Sequence, residues 1–241
     1  MSISKPEFSP QRYARAGGIA YLIIIVAGFI GEMFIRNKLI VSGDPAATAS
    51  NILSHPMLWR LGIAGDLTMH ICDAVVAIVY YVLLKPVNKN LALMALFLGL
   101  VQTAALVANK MNLVMPLLLL SNSAYLKAFD PGQLQTLSYL SIVAHGYGFG
   151  IGLIFFGCEC LIDGWLIIKS EYFPRILGIM VQIAGLCYLV NSFALILFPL
   201  LADALFPFIL LPPFIGELSM ALWLLFKGVN LAKWKERVSR V

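Results

Sequence analysis

Three residues of one apolar stretch, Asp66, His70 and Asp73, have a spacing that would place them on one side of a helix. At about 100° per residue, their side chains lie within an arc of roughly 60°. Carboxylates and imidazoles in an apolar setting bind protons or cations, or ligate metals such as zinc and iron. The spacing therefore predicts a polar helix face with chemistry of this kind.

Other apolar stretches of the chain also contain charged, titratable or amide side chains. An ionisable side chain at the centre of a bilayer costs about 2.5–3.5 kcal/mol, so such residues are functional candidates. The candidate ligand- or cation-binding residues are the three named above and six more: Glu32, Arg60, Asn109, Lys110, His145 and Glu217.

The composition of the chain indicates the elements that must position these residues. Of 241 residues, 61% are hydrophobic and 12% are charged, and the mean hydropathy is +0.90. Soluble domains have about 25% charged residues, so too few charges are present to cover a water-facing surface. The composition excludes soluble, disordered, collagenous and disulfide-scaffold proteins, and it predicts an integral membrane protein.

Six stretches have the roughly 20 apolar residues that a membrane-crossing helix requires. We expect an all-α polytopic bundle that forms one membrane domain over residues 1–241. Asp44-Pro45, a capping residue before a first-turn proline, predicts an additional short interfacial helix in the first outer loop. The predicted spans are approximately 16–36, 57–84, 91–116, 136–166, 175–199 and 208–229.

The distribution of Lys and Arg predicts the orientation. With the N-terminus in the cytoplasm, 12 of the 17 basic residues lie on the inner side, and six spans return the C-terminus to that side. This asymmetry explains the net charge of +5 without nucleic-acid binding. The expected partner is the lipid bilayer of the inner (plasma) membrane, and a small molecule or cation is a further possible ligand.

In this orientation, most candidate residues fall in the outer half of the membrane. The sequence thus predicts a polar cavity that opens outward and is lined mainly by spans one, two, three, four and six. Four acids are available to it, with Arg60 and Lys110 as the bases, and we expect Asp66 to pair with Lys110. The excess of carboxylates predicts bound protons, a cation or a metal, and it disfavours an anion site. Glu159 and Asp163 are expected near the inner interface in a structural role.

A metal site is the alternative chemistry. His70 and His145, with Asp66, Asp73 or Glu32, would form a two-histidine, one-carboxylate set suited to iron or zinc. A haem held by both histidines fits less well, because they lie about 13 and 9 residues into their spans, an offset of roughly 6 Å. No cofactor follows from the sequence itself, and no nucleophile constellation supports hydrolysis.

Six stretches distributed over nearly the whole chain resemble the bacterial multi-pass membrane family catalogued as domain of unknown function 4386. They are RAGGIAYLIIIVAGFIGE (15–32), GDPAATASNI (43–52), WRLGIAGDL (59–67), LLKPVNKNLALMALF (83–97), FPRILGI (173–179) and GELSMALWLLFKGV (216–229). The resemblance implies a bacterial inner-membrane protein with six spans and no assigned activity. His70 and His145 lie outside the matched stretches, which weakens the metal hypothesis.

Three functional classes remain open at the level of the sequence. The first is a binding or transport protein that takes a cation, a proton or a small ligand into the outer cavity. The second is a membrane-embedded metalloprotein or enzyme that uses the two histidines and carboxylates. The third is a structural or accessory subunit without a ligand, and the sequence carries no prediction of oligomeric state.

Overall fold

The computed structural model describes residues 9–240. Within this range the chain is helical, with short turns and loops and no strand. The helices are α1 (Pro10–Leu39), α2 (Pro45–Ser54), α3 (Pro56–Leu84), α4 (Lys89–Leu119), α5 (Pro131–Ser170), α6 (Arg175–Leu197), α7 (Pro199–Leu205), α8 (Phe208–Phe226) and α9 (Leu231–Ser239).

Six of the described helices, α1, α3, α4, α5, α6 and α8, are long and apolar enough to cross a membrane. Large apolar side chains remain exposed on them, for example Ile71 at 69% and Phe97 at 60%. A surface of this kind is stable in lipid and unfavourable in water. The predicted all-α polytopic bundle is confirmed, and the chain is a multi-pass membrane protein.

The spanning helices form a closed ring in chain order. Each packs against the next, from α1 to α3, α4, α5, α6 and α8, and α8 packs back against α1. Short connections make consecutive helices antiparallel. The side chain of Gln11 binds the backbone at both Lys227 and Val229, at 2.8 and 3.1 Å, so the two terminal parts of the described chain meet at one end.

Two spanning helices have local breaks that involve charged residues. In α1, the segment Gly31–Arg36 is π-helical, a distortion that is frequent at functional sites. In α4, regular α-helix stops at Asn109 and resumes at Met111, so that Lys110 lies at the junction. Both breaks are at the end of the bundle that carries α2.

Helices α5 and α6 pack so closely that their backbones are in contact. A Cβ atom added to Gly164 would lie 2.6 Å from the carbonyl oxygen of Gly178, and one added to Gly185 would lie 2.7 Å from that of Gly157. Only glycine allows this approach, which is the role that small residues have between membrane helices.

The short helix predicted in the first loop is confirmed as α2. Asp44 caps it by accepting a hydrogen bond of 2.9 Å from the Ala47 amide, and Pro45 occupies the first turn. Helix α5 begins earlier than the predicted span 136–166, because Asp130 forms a capping box with Gln133 and Pro131 begins the first turn, and it ends later, at Ser170. Its 40 residues therefore carry Glu159 and Asp163 away from the helix end.

Candidate functional site

The polar residues inside the bundle form two separate groups. The first, here called the ion cluster, comprises Glu32, Arg36, Asp66, Lys110 and His145. The second, here called the acidic cavity, is a space of about 130 Å³ whose lining contains the carboxyl groups of Asp73, Glu159, Asp163 and Glu217.

Asp66 is the centre of the ion cluster. Its side chain is 1% exposed, and its Oδ2 atom accepts from Arg36 Nη1 at 2.9 Å and from Lys110 Nζ at 3.0 Å. Arg36 also donates from Nε to Glu32 at 2.7 Å, across one turn of the π-helical segment. The pairing of Asp66 with Lys110 was predicted, and the structure confirms it.

Helices α4 and α5 complete the ion cluster. Lys110 Nζ lies 3.1 Å from His145 Nε2, where the ammonium group can donate to a neutral imidazole. The neighbouring Asn109 donates to the His145 carbonyl at 2.9 Å and accepts from Asn112 at the same distance. With two acids and two bases, the ion cluster is balanced in charge, and its arrangement is that of a structural network.

The acidic cavity lies inside the helix ring, and every spanning helix contributes to its wall. Its polar and charged lining residues are Tyr21 from α1, Asp73 and Tyr80 from α3, Gln102 from α4, Glu159 and Asp163 from α5, Tyr188 from α6 and Glu217 from α8. Lys, Arg and His do not occur among the described residues that line it. The cavity therefore contains a local excess of carboxyl groups.

The carboxyl groups of the cavity differ in how they are held. None of the ion pairs found within residues 9–240 includes Glu159, Asp163 or Glu217. Glu217 accepts a hydrogen bond from the hydroxyl group of Tyr188. Asp73 lies 2.9 Å from Nδ1 of the buried His70, which can donate to it from behind the cavity wall.

Two further features of the cavity wall concern Tyr80 and Glu159. Tyr80 is only 7% exposed, and its hydroxyl group has no hydrogen-bond partner within the described chain. Glu159 occupies room made by Gly99 of α4, where a Cβ atom would lie 2.5 and 2.7 Å from the two carboxyl oxygens. A buried polar group without a partner is costly, so the Tyr80 hydroxyl is a free hydrogen-bonding group in the wall of the cavity.

The metal ligands predicted from the sequence are not assembled. No group of three His, Cys, Asp or Glu side chains within residues 9–240 is placed to hold a metal ion. His145 contacts Lys110 and His70 contacts Asp73, whereas Asp66 is occupied by two cationic side chains. The Lys110 ammonium group at His145 Nε2 occupies the position that a metal would need.

The predicted site residues are thus divided between different places. Asp73 and Glu217 line the acidic cavity, and Glu32, Asp66, Lys110 and His145 form the ion cluster, with Asn109 beside it. His70 contacts Asp73 and does not itself line the cavity. Arg60, predicted as one of the two bases, is exposed and takes no part in the ion pairs found in residues 9–240.

Sequence reasoning missed three residues that define these groups. Arg36, at the end of the predicted first span, was not among the candidate residues, although its distance of four residues from Glu32 is that of a helical ion pair. Glu159 and Asp163 were assigned to the inner interface, because the predicted span ended at 166. Their own four-residue spacing on one helix face was the available signal.

The chain belongs to the family described as Domain of unknown function (DUF4386), whose match covers residues 16–228. It is also similar to a protein of Archaeoglobus fulgidus described as uncharacterized, with 29% identity over 172 residues, or 71% of this chain and 86% of the relative. No solved structure matches the chain significantly. The resemblance found in the sequence is confirmed, and a function must be argued from the geometry.

Proposed function

We propose that this membrane protein binds a cation in the acidic cavity. The observation that carries the proposal is a space of about 130 Å³ lined by four carboxyl groups and by no basic side chain of residues 9–240. Carboxylates in a poorly solvated place repel one another and favour either protons or a positively charged guest. An anion would meet no positively charged side chain among the described residues of this wall.

The ion cluster supports the proposal by its contrast with the cavity. Asp66 is already neutralised by Arg36 and Lys110, so it has no need of an external cation. Glu159 and Asp163 have no such partner among the described residues, although Glu159 is 6% and Asp163 3% exposed. We therefore place the bound cation in the acidic cavity and not at the ion cluster.

Thermal unfolding of the purified protein in detergent tests this function. Chloride salts of Na⁺, K⁺, Ca²⁺ and small ammonium ions are compared at equal ionic strength with the bulky N-methylglucammonium ion. At least one small cation is expected to raise the Tm of the wild-type protein, because a ligand that binds only the folded state stabilises it. The triple variant Glu159→Gln/Asp163→Asn/Glu217→Gln should lose this increase.

The matched control is Glu236→Gln, which removes an exposed carboxylate of α9 that pairs with Arg240. This variant should keep the full cation-dependent increase in Tm. Cation binding in the cavity is refuted if no cation of the panel stabilises the wild type, or if the triple variant is stabilised equally.

We also propose that the chain forms one integral membrane domain in the plasma membrane, with both termini in the cytoplasm and the α2 end of the bundle outside. The 12 Lys and Arg residues on the terminal side support this orientation. A green fluorescent protein fused to the C-terminus should fluoresce, and alkaline phosphatase fused there should be inactive. Active phosphatase with a dark fluorescent protein would require the opposite orientation.

A further inference from the structure

We propose that the guest of the acidic cavity is a small organic ammonium ion, that is, a protonated amine with a short apolar chain. This inference rests on the proposed function, because it names the chemical class of the cation. Three properties of the cavity lead to it: its volume, the aromatic part of its wall and the position of its unused hydrogen-bonding groups.

The volume exceeds what a single dehydrated metal ion fills. An apolar protein cavity of about 150 Å³ holds a benzene molecule, which has six carbon atoms. The acidic cavity has about 130 Å³. It therefore accommodates an amine of roughly four to six non-hydrogen atoms by the same measure.

The wall has two kinds of surface, and an alkylammonium ion matches both. Phe156 and Tyr188 pack with their ring centres 5.3 Å apart, and Tyr21 and Tyr80 pack edge to face at 6.5 Å. All four line the cavity. Aromatic rings attract ammonium groups and also pack against apolar carbons. A hard metal cation instead requires six or so oxygen ligands that converge on one point, and no three His, Cys, Asp or Glu side chains among residues 9–240 converge in this way.

The polar groups of the wall suit N–H donors. Glu159 and Asp163 take part in none of the ion pairs found among residues 9–240. The Tyr80 hydroxyl oxygen has no hydrogen-bond partner there. An ammonium group has three N–H bonds that radiate from one nitrogen and can reach several acceptors. We assign the carboxyl groups as charge partners and the Tyr80 oxygen as an additional acceptor.

Isothermal titration of the purified protein with n-butylammonium chloride tests the inference. Its uncharged counterpart, 1-butanol, has the same number of non-hydrogen atoms and controls for apolar binding. Na⁺, K⁺ and Ca²⁺ chlorides are titrated separately at constant ionic strength. Saturable binding of butylammonium, with at least tenfold weaker binding of butanol and of the inorganic ions, is the expected result.

The possible outcomes separate this inference from the proposed function. If an inorganic cation binds and butylammonium does not, the ammonium assignment is overturned while cation binding in the cavity stands. Binding of no cation overturns both. Equal binding of butanol and butylammonium also overturns the assignment, because the carboxyl groups would then contribute nothing.

A pair of tyrosine variants tests the assigned contacts. Tyr80→Phe keeps the ring and removes the buried hydroxyl group, so butylammonium affinity should fall on the order of tenfold. Tyr147→Phe removes the hydroxyl of a tyrosine that is 43% exposed and does not line the cavity. It should leave the affinity unchanged. Unchanged affinity in Tyr80→Phe would overturn the role of that hydroxyl group.

Discussion

The acidic side chains inside the bundle differ in whether the protein itself supplies their counter-charge. Asp66 has two cationic partners, whereas Glu159 and Asp163 have none among the described residues. The sequence predicted the contact of Asp66 with Lys110, because both are charged residues expected at similar depth. It did not predict the contact with Arg36, which lies in the π-helical turn at the end of the predicted first span.

The ion cluster should be important for stability. Asp66→Asn leaves the buried Lys110 without a carboxylate and Arg36 with Glu32 alone, and breaking a buried pair costs about 3–5 kcal/mol. Glu32→Gln is the matched control, because it also replaces an Arg36 partner by an amide but at a side chain that is 54% exposed. Loss of an exposed pair costs about 0–1 kcal/mol.

Denaturation of the purified variants in mixed micelles measures this difference. The unfolding midpoint of Asp66→Asn is expected to fall well below that of Glu32→Gln, which should remain close to wild type. Equal stability of the two variants would show that Asp66 does not hold the two bases in place.

For the individual helices, the length of the apolar runs predicted where each helix lies in the chain but not which helices it contacts. Six runs of about 20 apolar residues are sufficient to identify spans, because a bilayer imposes that length. The place where one helix touches another depends on small residues and side-chain shapes. Gly99 of α4 is an example, because nothing in its local sequence shows that it faces Glu159 of α5.

The contact between α4 and α5 at Gly99 should control the geometry of the cavity. In Gly99→Ala, the added Cβ would lie 2.5 Å from a Glu159 carboxyl oxygen, so the carboxyl group must move. We expect cation affinity to fall roughly tenfold, which corresponds to about 1.4 kcal/mol. Calorimetric titration of the stabilising cation provides the measurement.

Gly146→Ala is the matched control for this substitution. Gly146 also lies within a spanning helix, but a Cβ atom there would have no neighbour within 4 Å. Its affinity should equal that of the wild type. A similar loss in both variants would mean that alanine acts through helix stiffness and not through Glu159.

At the scale of the whole molecule, ring closure creates the site. The acids of the cavity come from α3, α5 and α8, and they meet because α8 packs against α1 and completes the circle. The sequence predicted that carboxylates would exceed bases in a membrane cavity. It placed Asp66 and Glu32 in that excess and left out Glu159 and Asp163, since distances between helices remote in the chain follow from packing and not from spacing.

The most direct test of cation binding in the acidic cavity is a crystal structure determined from crystals soaked in Tl⁺. This ion resembles ammonium and K⁺ in charge and size, and its anomalous scattering identifies it. The predicted result is an anomalous peak inside the helix ring, near Glu159 and Glu217 and away from Asp66. Peaks confined to surface acids such as Glu236, with none inside the ring, would contradict it.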